Sequence, residues 1–237
     1  MNSIKKIYAF ILFAFFLANI SAAKEKLKVY VFHRPPLYIV KPNGYSGILV
    51  EKAKKIFKKA GIDYSFITMP PARILPTLEK EKNACSIGWL KTKEREKRFV
   101  FSKPIYVKND FFVFAVRKDF DKNIKMLLNS PKYTILLVRG FSYGEQIDKL
   151  LKQSKAKKFR TLSNAKNLLL MVKNRRGDCA IISKDEADFW LNDPAFKNSI
   201  KLIPFKEKNK IKRYLIFSKQ TDRKIIEKIN RAIEEAN

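Results

Sequence analysis

Apolar and polar positions along this chain follow two periods, and the period switches at almost every turn. Residues 27–32 are dense in β-branched and aromatic side chains, which predicts a strand. Residues 48–59 put Ile48, Leu49, Ala53, Ile56 and Phe57 on one stripe ahead of Gly61, the spacing of an amphipathic helix with a glycine stop. Residues 64–68 return to a strand. Pro70 and Pro71 then open a helix over 72–80, since proline is tolerated in a first helical turn. Residues 84–90 read as a strand, 92–97 as a short charged helix capped by Thr92, and 99–101 as strand again. The second half keeps the rhythm, with strands at 110–117, 134–138, 179–182, 201–204 and 213–218. Its helices fall at 143–151, 164–172, 185–191 and 225–236. Strand–helix alternation of this kind predicts a mostly parallel α/β fold. There is no low-complexity linker and no repeat of solenoid length, so any division into two units must come from strands that cross between them. Residues 99–114 are the best place for one crossing.

The first residues change the picture by assigning a compartment. Lys5 and Lys6 precede an apolar run over 7–20, and Ser21-Ala22-Ala23 offers the small residues a signal peptidase reads. The run is shorter than the roughly 20 residues a bilayer needs. Residues 1–23 are therefore expected to be a cleaved signal peptide, with no cysteine after it for lipid attachment, no membrane insertion afterwards and a periplasmic location. The formal net charge is +29, and Lys5 and Lys6 are its only leader contributions. A basic surface can signal nucleic acid. Here the lysines are spread over most predicted helices, as on a solvated surface, and export removes that partner. Attraction of small anions remains. Cys85 and Cys179 make an even pair, which in an oxidising compartment argues for a disulfide, yet each sits in an apolar strand-like run where a free thiol packs as a small hydrophobe. With His33 the only histidine, no metal-ligand spacing is present and no cofactor is implied.

Open α/β sheets bind ligands at the carboxyl ends of their strands, beside helix N-termini. The sharpest junction of that type is Gly88-Trp89-Leu90-Lys91-Thr92-Lys93-Glu94-Arg95, followed by Phe101-Ser102-Lys103-Pro104-Ile105-Tyr106. Arg95 falls in the first turn after Thr92, where a cation opposes the helix dipole and adds little to folding. An arginine fork there makes a bidentate seat for a carboxylate. The competing reading is a solvated charge run over 91–98.

The pattern Gly-x-x-x-Thr-x-x-Arg, then Phe-Ser-x-Pro-x-Tyr, resembles the extracellular solute-binding proteins of family 3, which serve amino-acid-type ABC transporters. Pro35-Pro36-Leu37-Tyr38 with Gly44 and Gly47-Ile48 is similar to that family's first strand–helix junction. Val138-Arg139-Gly140-Phe141-Ser142, Asp178-Cys179-Ala180-Ile181-Ile182 and Pro70-Pro71-Ala72-Arg73 are similar to its later ones. The resemblance implies a type II periplasmic-binding fold: residues 24–102 with 213–237 as one lobe, 103–212 as the other, and crossing hinge strands between. It implies a monomer that binds a small anionic or zwitterionic solute and meets an ABC permease or a sensor receptor. It places Cys85 and Cys179 in different lobes, so both are expected to be buried free thiols. In amino-acid binders of the family a hydroxyl stands where this chain has Leu90, and an aspartate where it has Ser183, with Asp185 two residues on. Both groups hold the ligand's amine, so the resemblance keeps the carboxylate seat and loses the ammonium seat.

Further candidates are weighed on the residues themselves. Tyr38 and Trp89 form an aromatic wall of the cleft or pack in the core. Arg73, at a helix start, binds ligand or stays on the surface. Ser142 caps a helix or touches ligand. His33 is structural. A catalytic alternative needs a general acid or base, for which only Glu51 and Asp185 offer carboxylates. The expectation is a binding protein and not an enzyme.

Overall fold

In a computed structural model, residues 26–109, 112–205 and 211–236 are described. The expected signal peptide lies outside these residues, as does the expected strand start at Asp110. Among the described residues no helix is long and apolar enough to cross a membrane.

The first half is built by β1 (Leu27–Val31), a hairpin of β2 (Ile39–Lys41) and β3 (Gly44–Ser46), α1 (Ile48–Lys59), β4 (Tyr64–Thr68), α2 (Pro71–Leu78), β5 (Ala84–Trp89), α3 (Lys93–Arg98) and β6 (Val100–Lys108). The second half runs β7 (Phe112–Arg117), α4 (Ile124–Leu128), β8 (Thr134–Val138), α5 (Glu145–Gln153), β9 (Lys157–Thr161), α6 (Ala165–Lys173), β10 (Cys179–Ser183), α7 (Lys184–Leu191), α8 (Pro194–Lys197) and β11 (Ile200–Pro204). The chain closes with β12 (Ile211–Phe217) and α9 (Arg223–Glu234). Helices sit where the stripe predicts. The apolar face of α1 is buried through Leu49, Val50, Ala53, Ile56 and Phe57, and the lysines of that helix stay outside. Five elements depart from expectation because they lack the periodic signal. Strand β9 is almost wholly exposed and mostly basic, the hairpin β2–β3 is only three residues a side, and α4 and α8 are single turns.

The strands make two separate five-stranded sheets, in the orders β4-β1-β5-β12-β6 and β11-β7-β10-β8-β9. The chain leaves the first sheet between β6 and β7 and returns between β11 and β12, which gives each sheet its own core. Strands β6 and β12 stay paired from Val100↔Phe217 to Lys108↔Ile211. The limits expected from sequence, 102/103 and 212/213, fall within this pair. Ser102 fastens it, because its hydroxyl accepts from the Leu215 amide at 3.0 Å. Cys85 lies in β5 of the first sheet and Cys179 in β10 of the second, both buried and free, as the two-lobe reading expects.

Candidate functional site

The loops that follow β1 and β5 in the first sheet face the loop after β8 and the start of α7 in the second. Phe32, just past β1, meets Phe141, just past β8, with ring centroids 5.8 Å apart. The guanidinium of Arg34 lies 4.7 Å from the Phe141 ring centre on one side. On the other it forms a fork with Glu186 of α7, Nε to Oε1 and Nη2 to Oε2, each at 2.8 Å. The two side chains are only 8% and 4% exposed, so this ion pair joins the sheets through a dry contact. Burial alone would raise the Glu186 pKa. The Arg34 charge and the hydrogen bonds from Arg34 and Ser183 outweigh it and hold the carboxyl below its ordinary value. Burial likewise works against the Arg34 cation and is outweighed by Glu186, which raises its pKa.

Arg95 reaches back from the first turn of α3. Its guanidinium donates to Leu90 O at 2.9 Å within the first sheet's loop and to Gly140 O at 3.2 Å across the gap, and it stacks 4.8 Å from the Trp89 ring centre. Only 6% of the residue is exposed. The expectation that Arg95 adds little to folding is therefore corrected: the dipole argument concerns the backbone position, whereas the side chain leaves the helix axis and ties two loops together. Thr92 is the predicted cap, accepting from the Arg95 amide at 3.2 Å. Arg213 projects from β12 and is 2% exposed. Alternation along this strand puts Ile211, Arg213, Leu215 and Phe217 on its buried face, a signal that could have drawn attention to Arg213 before the structure.

Arg34, Arg95 and Arg213 line one small cavity of about 30 Å³, together with Gly88, Leu90 and Ser142 among others. No carboxylate lines it among the described residues. That volume suits a head group and not a whole solute, since a water's share of the liquid is about 30 Å³. Two larger spaces adjoin it. One, of about 490 Å³, shares Phe32, Arg34 and Phe141 with the cavity and is walled mainly by apolar side chains, with Glu186 also among its lining. The other, of about 740 Å³, opens on the far side of Arg95, beside Thr92, Lys152, Lys158 and Arg160.

The remaining expected site residues fall into three places. Gly88, Trp89, Leu90 and Ser142 line the central cavity. The Gly88 φ of +76° and the absence of a side chain let Tyr38 approach, since a Cβ there would stand 1.9 Å from the phenol oxygen. Tyr38 and Trp89 touch the cavity yet also pack in the core. The Tyr38 hydroxyl donates to Ile87 O at 2.9 Å and Trp89 Nε1 donates to Ser86 Oγ at 2.8 Å. Ser142 donates to Asp148 Oδ2 at 2.6 Å. Ser183 is the fully buried N-cap of α7, and its hydroxyl and amide both serve Glu186 in a capping box. Arg73 is exposed on α2. Glu51 pairs with Lys54 on an exposed face of α1, and Asp185 is buried at the start of α7; neither lines the three spaces. Sequence reading missed Arg34, Glu186 and Phe141. Glu186 could have been found from Ser183-x-x-Glu186, a capping-box spacing, while nothing local distinguishes Arg34. Among the described residues no group of three His, Cys, Asp or Glu side chains could hold a metal ion.

The same architecture occurs in solved proteins. A Gly52Ala mutant of the arginine-bound ArgBP from T. maritima matches with a TM-score of 0.72 at 22% identity, covering 90% of this chain and 96% of that one. The substrate-binding protein of an amino acid ABC transporter matches with a TM-score of 0.73 at 19% identity, covering 89% and 92%. The VFT2 domain of Bordetella pertussis BvgS matches with a TM-score of 0.71 at 19% identity, covering 89% and 88%. At these identities the likeness shows the fold, which is that of type II periplasmic-binding proteins. No curated protein matches the chain. The family model for bacterial extracellular solute-binding proteins, family 3, matches residues 27–237.

Proposed function

The chain belongs to the bacterial extracellular solute-binding proteins of family 3, and from that premise we propose that it is a non-catalytic periplasmic protein binding a small carboxylate-bearing solute for an ABC permease. The observation that carries this reading is the central cavity, lined by three arginines, of which Arg34 is already paired with Glu186, and, among the described residues, by no carboxylate. Guanidinium forks match carboxylates in shape and in hydrogen bonding. A net positive protein with basic side chains along the adjoining opening also raises the local concentration of small anions. Arg95 is the favoured first contact, because its current partners are backbone carbonyls that a carboxylate outcompetes. The lobes would be 24–102 with 213–237 and 103–212, hinged at the two crossings between the sheets, so that separation exposes the arginines and closure shuts water out.

The test is a thermal-shift series with small organic acids on the wild type, Arg95→Lys and Arg95→Ala. An acid that stabilises the wild type is expected to stabilise Arg95→Lys less, because the charge stays and the fork is lost, and Arg95→Ala least. An acid that stabilises all three equally would remove Arg95 from the site.

A further inference from the structure

Carboxylates that line the three adjoining spaces are already engaged. Among the described residues they are Glu94, Asp148 and Glu186. Glu94 accepts from Arg98, and Asp148 accepts from the Ser142 hydroxyl and from the Tyr143 amide at 3.0 Å. Glu186, the only one that is buried, is the most committed. Its Oε1 takes Arg34 Nε, and its Oε2 takes Arg34 Nη2, the Ser183 hydroxyl at 2.7 Å and the Ser183 amide at 3.2 Å. A carboxylate has about four acceptor positions over its two oxygens; three of these donors share Oε2, and Oε1 takes Arg34 Nε. The Arg34 charge neutralises it as well.

A solute cation entering this cleft would meet the Arg95 guanidinium and a buried carboxylate whose charge Arg34 already matches. A solute anion would meet the same Arg95 guanidinium, whose side-chain hydrogen bonds go to the Leu90 and Gly140 carbonyls. Removing a buried charge from water without a partner is costly, so an ammonium on the solute counts against binding even when its carboxylate is well seated. Building on the carboxylate reading above, we propose that the cleft selects organic acids that lack an ammonium group, and that Arg34 sets this selectivity by occupying Glu186. The 490 Å³ space beside the arginines supplies room for the rest of the solute, and its walls of Phe32, Met69, Pro70, Val138, Phe141 and Leu162 fit an alkyl or aryl body.

Matched pairs isolate the ammonium. Calorimetric titration of the protein with 3-phenylpropanoate against phenylalanine, and with hexanoate against norleucine, compares solutes that differ by that group alone. Within each pair the acid without the amine is expected to bind at least tenfold more tightly. Arg34→Gln keeps a hydrogen bond to Glu186 but removes the neutralising charge, and is expected to narrow or invert the ratio. Glu186→Gln takes away the carboxylate and is expected to widen it. Equal or tighter binding of the amino acids by the wild type overturns the proposal, as does a folded Arg34→Gln protein that keeps the wild-type ratio. If Arg34→Gln does not fold, the wild-type ratio decides alone. Arg95→Ala separates the two ideas: acid binding unchanged in that variant sinks the carboxylate seat, whereas equal affinities within a pair that still need Arg95 sink only the exclusion of ammonium. Failure of every acid to bind overturns both.

Discussion

Replacing Arg34 by methionine keeps an apolar stem against Phe141 and removes the charged fork from Glu186. The carboxylate is then left buried, with Ser183 as its remaining partner. An exposed ion pair contributes about 0–1 kcal/mol, but this pair has two bonds of 2.8 Å and side chains 8% and 4% exposed. The relevant benchmark is therefore the removal of one partner from a buried pair, about 3–5 kcal/mol. For a chain of this size each kcal/mol moves the midpoint by about 2–4 °C, so the melting temperature should fall by about 6–20 °C. The double variant Arg34→Met/Glu186→Met removes both charges and should recover most of that loss, because a buried pair replaced by packed apolar groups is often near neutral. The sign of the pH dependence follows from Glu186. A carboxyl held below its ordinary value stabilises the fold fully above its unfolded pKa of about 4.3. That contribution disappears as the pH falls through the lowered value, so the gap between wild type and Arg34→Met should narrow in acid. Circular-dichroism melts of the four proteins of the cycle, at neutral pH and in acid, measure this. Single variants within about 1 kcal/mol of wild type, or effects that simply add in the double variant, would refute the dry contact between the sheets.

Other outcomes follow from the same geometry. Arg95→Ala, judged by urea denaturation without solute, should cost about 1–3 kcal/mol, because Leu90 O and Gly140 O lose a charged donor. Gly88→Ala should cost at least about 2 kcal/mol in the same assay, since φ is +76° and the new Cβ would collide with the Tyr38 hydroxyl and Leu49; an unchanged midpoint would show that the end of β5 yields freely. Cys85 and Cys179 should resist a thiol reagent in the folded protein and both react in denaturant. Burial pushes both thiols up, aided at Cys179 by Asp178. Rapid labelling of either in the native state would contradict its burial.

The periodic elements were legible in the chain because their signals are local. The α1 stripe, the buried runs at β5, β8 and β10, and the Thr92 cap follow from spacing and capping alone, and they agree with the structure to within a residue or two. The exposed basic strand β9 was not legible, since a strand that buries almost nothing shows no apolar alternation and is held by its pairing with β8. Arg95 was singled out by its position in a first turn and by the family resemblance, yet its stabilising contacts were hidden, because Gly140 lies 45 residues away. Arg34 and Glu186 were hidden for the same reason: they are 152 positions apart, and each alone looks like a surface charge. Sequence by itself determined the alternating α/β elements, and its family resemblance anticipated the separation of the cysteines and singled out one arginine that lines the central cavity. Only the tertiary structure decided which charges are buried, and with which partner. Burial and pairing are properties of surfaces brought together from both sheets, and no local pattern encodes what will stand opposite.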